Sequence, residues 1–318
     1  MNTPPITRLS DLRAQGMSAA EQRRQVAGLE RLAPGAYAPT EGLDPVAVHL
    51  ARASAVLGRV SGVVASHTTA AALWGLPLRA QHLGSVHVSR VKGRRGGAKP
   101  GRVHHVHSRE VAEGDTDEQA GMLCTSPVLT VLDCARLVDE DWGVAIADSA
   151  LHTGILTQHT LADRAARVLN CTGAGRARVL STLTSALAES PGESLLRRRL
   201  NRMGLTPREQ VEIGGDRVDF LIGDHLVVEF DGRGKYQLRG DPAAAHWAEK
   251  QRNDRLVELG YEVLHVTWAD LWDEAALAHR IVGSLRRAQA RNGLDLLPIG
   301  PSAPVQTGAD RRYGSRSA

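Results

Sequence analysis

Apolar positions change their spacing along the chain, and each change marks a new element. Ile6, Leu9 and Leu12 recur at helical spacing and halt at Gly16. Ser18 followed by Glu21 has the spacing of a capping box and opens a second helix through Arg23, Arg24, Val26 and Leu29. The stretch Leu32-Ala33-Pro34-Gly35-Ala36-Tyr37 predicts a turn into a short strand. From about residue 45 to 185, helix-like and strand-like pieces alternate. An alanine-rich amphipathic helix over 47–60 leads to the apolar strand Val63-Val64-Ala65, and Ser66 or Thr68 caps a helix running to Gly75. Residues 86–88 and 103–107 alternate like two strands joined by a basic hairpin loop, and Pro127 opens a further run of helices.

The last third has the sharpest order. A helix over 193–203 stops at Gly204, and short strands follow over 211–213, 217–222 and 226–230. They are broken by Gly214-Gly215-Asp216 and by the hairpin-sized Gly223-Asp224. A long polar helix over 242–259 stops at Gly260, residues 262–267 form a fourth strand, and 275–288 a closing helix. The predicted fold is therefore mixed α/β (α+β), and its C-terminal part runs helix, three strands, helix, strand. At the other end, helix, turn, helix and hairpin is the order of a winged helix, whose second helix can enter a DNA groove. A helical cap on the following domain has the same outline.

Composition narrows the class without naming a function. With 318 residues and 42% hydrophobic content, the chain is long enough for two domains with real cores. Its 39 basic and 35 acidic residues leave a formal charge of +4, compatible with a polyanionic partner but too small to identify one. No apolar run approaches the roughly 18 residues of a spanning helix, so no membrane role is expected. The start lacks the basic-then-apolar pattern of a signal peptide. Cys124, Cys134 and Cys171 are odd in number and form no C-x-x-C pair, which makes a reducing cytoplasm the default location.

The candidate chemistry lies in the acids of the last third. Asp219 interrupts an apolar strand, and Glu229 and Asp231 end the next one. Residues two apart in a strand share a face, so Glu229 and Asp231 project together, and a tight turn at Gly223 brings Asp219 towards them. Clustered carboxylates repel unless a counter-charge is present. A hard divalent cation, Mg²⁺ or Mn²⁺, relieves that repulsion and activates water. Glu193, at the start of the preceding helix, offers a fourth carboxylate or serves as a first-turn acid at the helix N-terminus. His104, His105 and His107 are read as a partly exposed strand, and Asp133 with Arg136 as a helix-surface pair.

The ordered set Asp219, Glu229-x-Asp231-Gly232 and Lys235-Tyr236 resembles the core of the PD-(D/E)xK nuclease superfamily. It is most similar to the very-short-patch-repair-like endonucleases and domain-of-unknown-function family 559. Glu249-Lys250-Gln251-Arg252-Asn253-Asp254-Arg255-Leu256, followed by Tyr261-Glu262-Val263-Leu264 and Val266-Thr267-Trp268, is similar to that family's second helix and fourth strand. The resemblance implies a restriction-endonuclease-like αβββαβ core with a mixed sheet and Mg-dependent hydrolysis of phosphodiester bonds in DNA. It implies Asp219, Glu229 and Asp231 as metal ligands with Glu193 assisting. Asp231 stands where the superfamily's usual lysine falls, and Lys235 would then supply the cation that orients the water.

The front of the chain resembles the antitoxins of abortive-infection type IV toxin–antitoxin systems, through Leu32–Tyr37, Ser66-His67-Thr68-Thr69-Ala70-Ala71 with Trp74-Gly75-Leu76, and Thr130–Arg136. That implies a DNA-binding region and a possible toxin partner. The expected division is a winged-helix-like unit over 1–42, an antitoxin-like α/β domain over 43–187, an endonuclease-like domain over 188–292 and a disordered tail over 293–318. Expected nucleic-acid contacts are Arg23 and Arg24 on the second helix, Lys92, Arg94 and Arg95 in the basic loop, and Lys250 and Arg255 on the polar helix. The rival reading is a non-catalytic DNA-binding regulator whose nuclease-like domain has lost turnover.

Overall fold

The computed structural model describes residues 3–94, 99–168, 171–232 and 242–293, with side chains in the polar helix from His246 onward. Two compact units divide between Arg198 and Arg199. Both units mix helices with mixed sheets, as the α+β expectation required.

The first unit opens with β1 (Thr7–Arg8), α1 (Leu9–Ala14) and α2 (Ala19–Gln25), then β2 (Glu30–Ala33) and β3 (Ala36–Ala38). The Ser18–Glu21 capping box forms in both directions. The three strands make a small antiparallel sheet in the order β1-β3-β2. Next come α3 (Pro45–Leu57), β4 (Val63–Ala65), α4 (His67–Leu73), β5 (Val86–Val91), β6 (His104–Val111), β7 (Thr116–Gln119) and β8 (Met122–Thr125). Leu32, Ala36 and Ala38 share one core with Ala51, Ala55 and Val56 of α3 and with Val86, Val88 and Val106. The small sheet thus stands on the core of the residues that follow it.

The larger sheet has the order β6-β5-β4-β8-β7. Two features depart from the sequence reading. Strands β5 and β6 pair in parallel, so the basic segment between them is a crossover connection rather than a hairpin tip. The β7–β8 hairpin carries no clear turn signal, because its turn places Ala120 at φ 50° beside Gly121 at φ 73°, where asparagine or aspartate usually marks such a turn. Helices α5 (Pro127–Leu137), α6 (Glu140–His152), α7 (Gln158–Ala166), α8 (Ala174–Leu183) and α9 (Pro191–Arg202) complete the unit, with the division falling inside α9. Asp133 of α5 is buried with its carboxylate 2.7 Å from Arg136, so the expected surface pair is in fact a largely buried one.

The second unit follows the predicted order. Strands β9 (Arg208–Ile213), β10 (Asp216–Ile222) and β11 (Leu226–Asp231) form an antiparallel meander. Its first turn uses Gly214 and Gly215 at φ 59° and 89°, a conformation open to glycine at little cost. Helix α10 (Pro242–Glu258) carries the chain back so that β12 (Glu262–Thr267) pairs parallel to β11. Short α11 (Trp268–Leu271) and long α12 (Glu274–Arg291) close the unit. Leu221, Val227 and Leu256 pack together, seating α10 against the sheet face that also carries Glu229.

Candidate functional site

The parallel register of β11 and β12 sets Glu229 opposite His265 and Asp231 opposite Thr267. With a side-chain period of two, Glu229, Asp231 and His265 share one face. On α10, Glu249, Arg252, Asn253 and Leu256 recur at i, i+3, i+4 and i+7 and form one stripe. Leu256 is fully buried and anchors that stripe, which delivers the three polar side chains above it to the sheet. Glu229, Glu249 and His265 each offer a ligand atom, and these atoms lie within 4.8 Å of one another.

Positive charge within the chain already balances these acids. Arg252 grips both oxygens of Glu229: Nη1 donates to Oε2 at 2.8 Å and Nη2 donates to Oε1. Its Nη1 also lies 3.3 Å from Glu249 Oε1, and Nη2 donates to the Arg217 carbonyl at 2.7 Å. The bond to Glu229 raises the arginine above its ordinary pKa. His265 Nδ1 lies 3.3 Å from Asp231 Oδ2 and 3.9 Å from Glu229 Oε2, and Asn253 Nδ2 approaches His265 Nε2 at 3.1 Å. The imidazole pKa is raised, mainly by its bond to Asp231, against the opposing effect of burial.

The other predicted site residues are distributed as follows. Asp219 lies one step beyond the last β10–β11 ladder pair, Phe220 with Val228, and its Oδ2 accepts the Phe230 backbone N–H at 2.8 Å. Glu193 belongs to the first unit, where its carboxylate accepts from the Ser190 hydroxyl at 2.7 Å and the Glu189 amide at 2.9 Å. Those bonds cap the start of α9. Lys235 and Arg95 lie outside the described residues, as does most of the expected tail. Arg23 and Arg24 are exposed in the last turn of α2, and Lys92 is exposed just after β5. Arg94 pairs with Glu113 at 3.1 Å. Lys250 is exposed, with Nζ 5.6 Å from the ring centroid of Trp247. Arg255 makes two bonds to Asp216, at 3.0 and 2.9 Å.

Sequence alone does not mark Glu249 or His265 as a ligand. Glu249 reads as one member of a charged helix face, and its i,i+3 contact with Arg252 does form. The missing signal is non-local: His265 meets Glu229 only through the β11–β12 register.

No family model matches the chain, and no curated protein matches it. Among solved structures, the catalytic domain of the homing endonuclease I-Bth0305I aligns with a TM-score of 0.27 at 20% identity, covering 30% of this chain and 95% of that one. That likeness is too slight to bear on the chemistry. Among the described residues, no helix is long and apolar enough to cross a membrane.

Proposed function

We propose that the second unit is a divalent-metal-dependent endonuclease-like hydrolase acting on phosphodiester bonds in DNA. The observation that carries this reading is the convergence of Glu229, Glu249 and His265 within 4.8 Å on a sheet face flanked by Asp219 and Asp231. Two carboxylates and one imidazole suit Mn²⁺, and Mg²⁺ with added water ligands. A bound cation there would supply an activated water and neutralise charge on the phosphate. Glu229, Glu249 and one ring nitrogen of His265 would hold the cation, and the neighbour at the other nitrogen, Asp231 or Asn253, would orient the ring. Asp219 pins the end of β11 through the Phe230 amide. Exposed Lys250 and Trp247 on α10 supply a cation and a stacking surface for the strand.

Plasmid nicking in Mn²⁺ or Mg²⁺ tests the proposal. Activity should vanish in Glu229→Gln and Asp219→Ala, and equal activity in the wild type and both variants would sink it.

A second reading is supported by Arg252. A guanidinium that already satisfies both Glu229 oxygens does electrostatically what a metal would do, as expected of a DNA-binding regulator without turnover. It predicts DNA binding that survives EDTA and Glu229→Gln, with Arg23, Arg24, Lys92 and Arg94 carrying the contacts. If the antitoxin resemblance extends to partners, a toxin should co-purify with the co-expressed chain.

A further inference from the structure

A row of histidines crosses the first unit. The parallel register sets His87 opposite His105 and Ser89 opposite His107. His107 stacks on His67 of α4 with centroids 3.5 Å apart and planes 8° from parallel, and its Nε2 lies 2.9 Å from His87 Nδ1. The His105 ring lies 4.5 Å from that of His107. His67 is 4% exposed, adopts φ 52°, and has Nδ1 3.9 Å from the buried Asp133 carboxylate. A left-handed backbone at a non-glycine residue costs on the order of 1 kcal/mol and persists only where packing imposes it. Burying imidazoles and a carboxylate where apolar side chains would fit is a further cost.

Two of the row, His87 and His105, wall an open cleft of about 510 Å³, lined also by Thr68, Gln81, Ser85 and Leu137 among others. Thr68 is 1% exposed, and among the described residues its hydroxyl has no hydrogen-bond partner. That hydroxyl is shielded from the cleft, so the groups open to a ligand are Gln81, His87, His105 and Leu137. Burial holds His87 near 4 and lowers His82, so these two of the three imidazoles in the lining are neutral at physiological pH. The charged group in the lining, Asp139, is paired with Arg79. Among the described residues no lysine or arginine lines the cleft, so it is not built for phosphate. Nor do the histidine nitrogens converge on one point as metal ligands must; among the described residues, that geometry belongs to the group around Glu229. What remains, apart from His105, is a set of neutral donors and acceptors beside Leu137, which is 43% exposed.

We propose that this cleft binds a nucleobase. Gln81 and His87 meet the edge of the heterocycle, while His105 and Leu137 cover its face. The volume lies within the range of small-molecule sites and holds a nucleoside. The base comes either from a free nucleoside or from a nucleotide extruded from a strand. The proposal is independent of hydrolysis in the second unit.

The test titrates the full chain with the four deoxynucleosides, with single-stranded homo-oligonucleotides, and separately with inorganic phosphate and Zn²⁺, following cleft resonances by NMR. At least one nucleoside should bind with Kd on the order of 0.1 mM. Gln81→Leu, at an exposed position, keeps the branched side-chain outline and removes the amide that would meet the base. It should weaken binding roughly 5- to 10-fold without lowering Tm. His105→Ala, at an exposed position, should weaken it to a similar extent. An oligonucleotide that binds at least about tenfold tighter than its nucleoside assigns an extruded base, and equal affinities assign the free nucleoside. The proposal is overturned by three results: no response to any nucleoside at about 10 mM, affinity unchanged in Gln81→Leu, or cleft shifts produced by phosphate or Zn²⁺ but not by nucleosides.

Discussion

Arg252→Gln separates the two roles that the Glu229 carboxylate can play. Glu229 is 7% exposed in its side chain and Arg252 is 21% exposed, so the fork between them is largely desolvated. Removing one partner of a buried pair costs about 3–5 kcal/mol because the other charge is left uncompensated. Arg252 is a fifth exposed and water partly replaces it, which reduces the expected loss to about 2–3 kcal/mol. For a unit of this size that is a fall in Tm of roughly 10 °C. Arg252→Lys should recover only part of it, since an ammonium cannot span both oxygens. The assay is thermal unfolding of the full chain with and without Mn²⁺. If Glu229, Glu249 and His265 hold a cation, Mn²⁺ should stabilise the glutamine variant more than the wild type, because a competitor for Glu229 has gone. An unchanged Tm without metal would refute the electrostatic account of the site, and a stabilisation by Mn²⁺ equal to that of the wild type would refute the competition.

Three further outcomes follow from the geometry. Because the His265 pKa is raised above 6.5, the stability it contributes is complete below that value and lost as pH rises through the folded pKa; metal affinity moves the opposite way and grows with pH. NMR titration of His265 beside Mn²⁺ binding at several pH values checks both, and a His265 midpoint at or below 6.5 contradicts the first. In the first unit His87 is held near 4, so its contribution is present above 6.5 and disappears on acidification towards 4, on the order of 3 kcal/mol. His87→Asn should flatten the acid limb of urea-unfolding curves, while Asp133, raised from 3.8 to about 6 by burial, works the other way, lowering stability progressively between those two values and by a constant amount above them. Gly173→Ala should lower stability by about 2–4 kcal/mol in chemical denaturation, since φ is +75° and a Cβ would lie 2.6 Å from the Arg136 carbonyl oxygen. A loss below about 0.5 kcal/mol would mean that the approach of this loop to α5 is wrong.

Much of the second unit is legible in the amino-acid sequence, because its instructions are local. Short apolar strands, glycines at the turns and a polar helix stopped by Gly260 each state their element within a few residues, and Glu229 and Asp231 follow as strand-end acids on one face. The antiparallel β10–β11 pairing is equally local, since one short turn joins them. What the chain alone does not state is which distant side chains meet. The Glu229–His265 contact needs a parallel pairing made across the whole of α10, and a shift of one residue would turn His265 to the other face. Arg252 has a partner one helical turn away in Glu249, yet the more buried Glu229 takes both arms of its guanidinium, a choice made by desolvation rather than by spacing. The same holds in the first unit. Alternation correctly marks residues near 86–88 and 103–107 as strands, but parallel pairing, rather than a hairpin, aligns His87 with His105 and brings His107 against His67. Period and punctuation are written residue by residue; register and burial are properties of the packed whole, and the candidate chemistry of both units depends on them.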